Sequence, residues 1–322
     1  MRVFLTGGTG FIGGHVARKL RERGDEVVAL VRSPGRATAL RELGCELVEG
    51  DLSSEEAIKR GARGCESVFH VGAVYKVGVP SSEHAAMFDA NVAGTERVLD
   101  AGVEVGARRI VYISTVNTFG NTRGQAVDEG YRRPDREWLS YYDETKFLAH
   151  EVAEDRIASG APVVIVMPGG VYGPDDHSEV GNMIEQAATG KLRAKVFPEM
   201  GFMLSHVEDV AEGILLAHDN GELGQSYVLA GERATMGELV DRVCSIAGRR
   251  PPRLTMPSAL IKASAPFGRV LGPALGFPPN LGELIRASDG VTYWARDDKA
   301  RRELGYAPRD LDTGLRQTLA GS

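Results

Sequence analysis

The sequence predicts an α/β fold: a doubly wound parallel sheet followed by a smaller, irregular C-terminal region. Three observations predict it. Residues 1–13 read as strand, glycine turn and helix. Apolar runs of strand length then alternate with helical stretches as far as Pro168, and such alternation implies parallel strands covered by helices on both faces. From Pro168 the pattern loosens into Pro168-Gly-Gly-Val-Tyr-Gly-Pro174, and regular alternation is not expected to resume.

Arg2–Thr6 is a short apolar strand, Gly8-x-Gly10-x-x-Gly13 turns the chain, and Ile12, Val16 and Leu20 recur at helical spacing. Gly8 is expected to allow the tight turn, Gly10 to let the backbone approach a pyrophosphate, and Gly13 to let the helix pack closely on the sheet. The helix N-terminus would offer unpaired N–H groups and a positive dipole end to phosphates. The whole stretch therefore reads as a dinucleotide site of the Rossmann type.

Gly24 is a plausible helix cap, and Glu26–Val31 a near-continuous apolar strand. Glu46–Glu49 is a third strand, ending at Gly50-Asp51. Ser53 with Glu56 suggests a capping box opening a short helix through Ile58. Ser67–Val71 is a fourth strand and 86–105 a long helix. Arg109–Ile113 is a fifth strand, 138–157 another helix, and Val163–Met167 a sixth strand. Ligands in such sheets bind outside the carboxyl ends of the strands, so residues at those ends converge. The organisation expected is a dinucleotide-binding domain at 1–170, to which 205–220 returns, and a mainly substrate-binding region at 171–322.

In that second region helical stretches near 179–189, 208–218 and 236–247 are separated by short apolar runs such as Tyr227-Val-Leu229. Residues 257–277 are apolar, but Lys262, Pro266, Arg269 and Pro273 interrupt any span of ~20 apolar residues, so no transmembrane helix is expected. Leu260, Ser264, Phe267 and Leu271 share a helical face, which suggests a lid, a dimer-facing helix pair or a plain packed helix.

Hydrophobic content of 43% and charged content of 25% fit an ordinary globular protein, and a net charge of −6 provides no overall footprint for nucleic acid or anionic membrane. Neither is expected as a partner. Cys45, Cys65 and Cys244 stand far apart, which suggests buried reduced thiols in a cytoplasmic protein rather than a zinc site or disulfides. No metal site is expected, and His70, His177 and His206 read as structural.

Tyr142 and Lys146 are four apart and share a helical face, whereas Tyr141 points elsewhere. An ammonium near a phenol would lower its pKa from about 10 and poise it to exchange the proton that accompanies hydride transfer. Such pairs also occur on solvated helix faces. Ser114-Thr115 closes the fifth strand, where a hydroxyl could hold a substrate oxygen against the phenol; capping a turn is the plainer reading for Ser114.

The chain resembles the extended short-chain dehydrogenase/reductases of the NAD-dependent epimerase/dehydratase superfamily, in its dihydroflavonol-4-reductase and 3β-hydroxysteroid dehydrogenase-like branch. The resemblance rests on TGGTGFIG at 6–13, GDL at 50–52, FHVGA at 69–73, NVAGT at 91–95, YIST with FG at 112–120, YDETK at 142–146, PGGVYGP at 168–174, HVEDVA at 206–211 and KARRELGYAPR at 299–309. It implies catalytic roles for Thr115, Tyr142 and Lys146, with Asn91 ordering the lysine's surroundings. It also implies a cofactor site lined by Gly7, Gly8, Thr9, Gly10, Phe11, Ile12, Gly13, Asp51, Leu52, Val71, Gly72, Ala73, Ser114, Tyr142, Lys146, Pro168 and Val171. A homodimer through the helices at 86–105 and 138–157 is implied as well.

Two departures carry information. Where NAD-binding members commonly end the second strand with an acid, this chain has Val31 followed by Arg32, with Arg36 nearby. Loss of a carboxylate and gain of a guanidinium suit a 2′-phosphate, so NADP is expected, with NAD the alternative. Relatives that bind nucleotide diphosphates generally place an Arg before the H-V-x-D segment; here Gly201-Phe-Met-Leu-Ser205 stands there, which suits an apolar ligand. The expected activity is an NADP(H)-dependent oxidoreductase interconverting a carbonyl and a secondary alcohol on a small apolar or aromatic substrate. The alternative is a nucleotide-sugar epimerase or dehydratase with tightly bound NAD(P).

Overall fold

The computed structural model describes residues 1–264 and 280–321. β1 (Arg2–Thr6) leads through the glycine turn into α1 (Phe11–Glu22), followed by β2 (Glu26–Val31), α2 (Thr38–Glu42), β3 (Glu46–Glu49), α3 (Glu55–Ala62) and β4 (Ser67–His70). α4 (His84–Phe88) and α5 (Gly94–Glu104) flank a π-helical turn at Asp89–Ala93. β5 (Arg109–Ile113), α6 (Tyr141–Ala158) and β6 (Val163–Pro168) come next, then β7 (Gly170–Tyr172), α7 (Glu179–Thr189), β8 (Ala194–Lys195) and β9 (Gly201–His206). α8 (Val207–Asn220), β10 (Ser226–Leu229), β11 (Glu232–Thr235), α9 (Met236–Ile246), β12 (Leu254–Thr255) and α10 (Ser258–Ser264) follow. Beyond residue 279 lie α11 (Leu281–Ser288), α12 (Asp298–Leu304) and α13 (Leu311–Ala320).

Seven strands form one parallel sheet in the order β10-β6-β5-β4-β1-β2-β3. Its winding reverses between β1 and β4, and the crevice beyond that reversal is where such sheets take ligands. Successive strand residues point to opposite faces, and both faces are buried. Phe4, Tyr112 and Ile165 enter one core with Ile58 and Val98; Val3, Leu5, Val111 and Val164 enter the other with Val16, Leu20 and Ile214. Each such aliphatic side chain contributes roughly 1.5–3 kcal/mol on burial. The second core includes Val210, Ala211 and Ile214 of α8, which lies against α1.

Three expectations are corrected and a fourth is refined. The parallel pattern does not end at residue 168, because Tyr227-Val-Leu229 belongs to β10, whose Ser226–Leu229 pairs in parallel with Ile165–Pro168. A four-residue strand with no regular crossover spacing carries too little periodicity to announce itself. Ser53 and Glu56 do not form a capping box: the Ser53 hydroxyl donates to Asp51 at 2.5 Å, and α3 starts after Ser54 without a side-chain cap. The long helix expected at 86–105 is present, running from His84 to Glu104, but it contains a π turn around Asn91. α6 begins at Tyr141, where the Ser140 hydroxyl accepts from the Asp143 N–H at 3.0 Å, three residues later than the apolar pattern suggests.

The smaller region carries a mixed sheet, β11-β9-β7, and the parallel pair β12-β8. Among the described residues no helix is long and apolar enough to cross a membrane. The lid or dimer reading of 257–277 falls mostly on 265–277, outside the described residues.

Candidate active site

The glycine turn meets the loop after β4 backbone to backbone. Gly7, not Gly8, takes the left-handed conformation, at φ +75, and a Cβ there would stand 2.5 Å from Gly72 N. Gly8 packs under Leu5 and Leu40 instead. A Cβ on Gly13 would sit 2.1 Å from the Gly7 carbonyl oxygen, so α1 can approach the turn only without one. Gly10 differs, because its Cβ would meet only that same oxygen, at 3.2 Å, and otherwise faces open space. α1 has Gly10 as its N-cap, no side-chain cap and no acid in its first turn. The N–H groups of Phe11, Ile12 and Gly13 thus lack intrahelical acceptors and stand beside exposed Thr9 and Gly10. This cradle fits a dinucleotide pyrophosphate by its own geometry.

Arg32 follows β2 directly and is exposed, as is Arg36 at the end of the short turn Pro34–Arg36. Asp51, also exposed, is held below the usual carboxylate range chiefly by the Ser53 hydroxyl and in part by the charge of Arg32. Leu52 packs toward Gly72 and Gly94.

On α6, Tyr142 and Lys146 are 7% and 4% exposed; Tyr142 packs with Val79 and Met87, and Lys146 reaches β5. Lys146 Nζ donates to the Ile113 carbonyl at 2.9 Å and to the Tyr112 hydroxyl at 3.4 Å. Burial pushes this lysine down to about 7. The expectation that Lys146 lowers the Tyr142 pKa is not met in this state: burial, then Tyr75, Tyr112 and Asp143, hold the phenol well above its ordinary value. Desolvation disfavours the phenolate, and the ammonium is directed at β5 rather than at the phenol. Thr115 caps the turn Val116–Phe119, its Oγ1 accepting from Asn117 N at 3.2 Å, while the Ser114 hydroxyl pairs with His150 Nδ1 at 2.9 Å. Turn capping therefore belongs to Thr115. Pro168 ends β6 and half-buried Val171 lies in β7.

Asn91 stands behind the site, accepting from Val74 N at 2.7 Å and donating to the Val74 carbonyl and Thr145 Oγ1, each at 3.0 Å. It ties the Val74 segment to the helix of Tyr142 and Lys146. A second chain runs from Gly72 N to Thr6 Oγ1, His70 Nδ1 and, through His70 Nε2, to Thr95 Oγ1, whose hydroxyl donates to the Asn91 carbonyl. Because the Thr95 proton is committed to Asn91, His70 carries its proton on Nε2 and accepts at Nδ1. Burial, aided by the Lys146 charge, pushes His70 down to about 3.

Sequence reasoning missed three supports. Asp143, 1% exposed, accepts from Arg133 at 3.2 Å and from Leu139 N at 3.1 Å, and the Arg133 guanidinium lies over Trp138 and Phe147. Glu283, 2% exposed, accepts from Tyr141 N at 2.8 Å. His150 meets Ser114. Only Asp143 had a signal, as an acid inside the Tyr-Lys segment.

Tyr75 packs edge-on against Tyr142 with ring centroids 4.8 Å apart. It opens a cleft of about 400 Å³ whose other walls include Gly78, Val79 and the start of α7. Phe202, Met203 and Leu204 do not line it: Met203 and Leu204 are buried in the cores and Phe202 stacks on Tyr293. As alternating residues of β9 they are spent on packing, so this run is no argument for an apolar ligand. A larger groove of about 720 Å³, between the 128–132 loop, β10 and α12, holds none of the site residues. Among the described residues no three His, Cys, Asp or Glu side chains gather as a metal cluster.

The model of the NAD dependent epimerase/dehydratase family matches residues 3–230. The chain is 32% identical to the 4-hydroxy-2-methyl-3-oxo-4-farnesyl-3,4-dihydroquinoline-1-oxide ketoreductase of Stigmatella aurantiaca, over 96% of this chain and 92% of that protein. It is 30% identical to sterol demethylase protein B of Methylococcus capsulatus, over 99% and 98%. The crystal structure of gox2253 superposes with a TM-score of 0.85 at 33% identity, covering 99% of this chain and 97% of that one.

Proposed function

Since this chain belongs to the NAD dependent epimerase/dehydratase family and is an extended short-chain dehydrogenase/reductase-type oxidoreductase, we propose that it is an NADP(H)-dependent reductase of a ketone or aldehyde on a small apolar or aromatic molecule, reversible as an alcohol dehydrogenase. The observation that carries the reading is that Lys146, one helical turn after Tyr142 on α6, is bonded to the Ile113 carbonyl two residues before Thr115, while Tyr142 itself meets Tyr75 at the wall of the cleft. The ketoreductase relative, named for a farnesyl-bearing dihydroquinoline oxide, supports both the carbonyl and the apolar or aromatic character of the substrate.

Bound NADPH supplies the hydride. Tyr142, kept protonated by burial, gives its proton to the carbonyl oxygen as that oxygen becomes an alkoxide. Thr115 is the donor positioned to hold the same oxygen, exchanging its weak 3.3 Å bond to Asn117 Oδ1 for one to substrate. Lys146, when protonated, stabilises the phenolate that Tyr142 leaves. Arg32, with Arg36, is the ligand for a 2′-phosphate, since both are exposed at the end of β2 where Val31 provides no carboxylate. The reading includes a homodimer through α5 and α6, beside which Phe88 and Val103 are 42% and 46% exposed; sedimentation tests it.

The discriminating experiment is NADPH consumption over a panel of aryl aldehydes, flavanonols, hydroxysteroids and nucleotide sugars. A reductase consumes one NADPH per product. Turnover of a nucleotide sugar with no net change in nicotinamide absorbance would make the enzyme an epimerase or dehydratase instead. Tyr142→Phe should abolish consumption, and Arg32→Ala should weaken NADPH binding while sparing NADH.

A further inference from the structure

The net charge of −6 conceals a local excess of the opposite sign. Lys191 and Arg193 precede β8, and Arg249, Arg250 and Arg253 precede β12; all five are exposed. The parallel pairing of Ala194 with Leu254 brings Arg193 and Arg253 to the same end of the two strands. Arg249 lies beside the loop that carries Lys191, its Cδ being 3.9 Å from where a Cβ on Gly190 would stand. None of the five forms an ion pair among the described residues. Asp241 is already engaged by Lys195 of β8, and Asp289, beside α10, by Lys262.

Within and beside this cationic edge stand Leu254 and Leu260, 68% and 63% exposed, more than any other exposed large hydrophobic among the described residues. Cations flanking bare aliphatic side chains match an anionic lipid surface, which attracts the charges and accepts the leucines into its interfacial layer. A nucleic acid would use the charges but leave both leucines in water, and the edge carries no aromatic ring on which a base could stack.

We propose that this protein docks peripherally on anionic bilayers through the β8/β12 edge and the start of α10. The surface connects to the cleft. Ile261 packs with Leu281 and Ile285 of α11, and Asn280, which caps α11, donates its N–H to the Gly78 carbonyl at 3.1 Å. Docking therefore brings the bilayer within one helix of the cleft mouth, a route for an amphiphilic substrate. That consequence rests on the reductase reading; the docking does not.

The test is flotation of the full-length protein with vesicles of phosphatidylcholine alone or with about a third phosphatidylglycerol, at low and high salt. The expected result is salt-sensitive binding to the anionic vesicles only. Each Arg→Glu change at 249, 250 or 253 should lower partitioning at least roughly fivefold. Leu254→Ser with Leu260→Ser should lower it without changing the salt dependence. Circular dichroism melting reports that each variant is folded. Absence of binding to anionic vesicles, binding indifferent to both sets of changes, or capture of an oligonucleotide in its place overturns the proposal. Flotation is independent of turnover, so failure to find a carbonyl substrate is a separate result.

Discussion

Lys146 Nζ is bonded to the Ile113 carbonyl at 2.9 Å, which anchors the ammonium to the end of β5 rather than to the phenol one helical turn before it. The bond fixes the lysine at the end of β5 while leaving its desolvation only partly compensated, which is why its pKa falls to about 7. Charge on this residue therefore changes across neutral pH.

For carbonyl reduction the protonated lysine is the useful form, because it stabilises the Tyr142 phenolate. kcat/KM should fall as pH rises through about 7. Lys146→Arg, always charged, should lose that limb even if it is slower at every pH. A pH profile with the same limb in both proteins would remove Lys146 from the assignment.

Gly10 and Gly13 should separate binding from folding. Gly10→Ala meets only the Gly7 oxygen, at 3.2 Å, so its melting temperature should stay close to that of the parent while NADPH binding weakens. Gly13→Ala puts a methyl 2.1 Å from the same oxygen and should cost a few kcal/mol of stability as well. Calorimetry beside fluorescence titration reads both; equal effects of the two changes would contradict the cradle geometry.

The pair Arg133–Asp143 is buried directly beside Tyr142. Arg133→Ala leaves the Asp143 carboxylate without its charge partner and should cost about 3–5 kcal/mol in urea unfolding. A loss under about 1 kcal/mol would mean that the pair does not hold the start of α6.

His70 links acidity to stability. Its folded-state pKa, about 3, lies below the 6.5 of a free imidazole, so the unfolded chain binds more protons between those values and stability rises with pH across that window. Three and a half units correspond to an upper bound on the order of 5 kcal/mol. His70→Gln should flatten this slope between pH 3 and 6.5, and a slope unchanged in the variant would assign acid sensitivity to other groups.

The sequence by itself determined what is encoded within a segment. Strand, glycine turn and helix at residues 1–13, the alternation to Pro168, and Tyr142 and Lys146 on one face of α6 all depend on local periodicity and on what a missing Cβ permits. Tertiary structure decided whatever joins distant segments. It put Tyr227–Leu229 into the main sheet, gave the positive-φ role to Gly7 because Gly72 crowds it, and turned Ser114 to His150. It also spent Phe202–Leu204 on packing, brought Glu283 to the Tyr141 N–H and gathered five cations on one edge. A side chain's spacing records which way it faces, but its partner and its solvation depend on which segments the folded chain packs together.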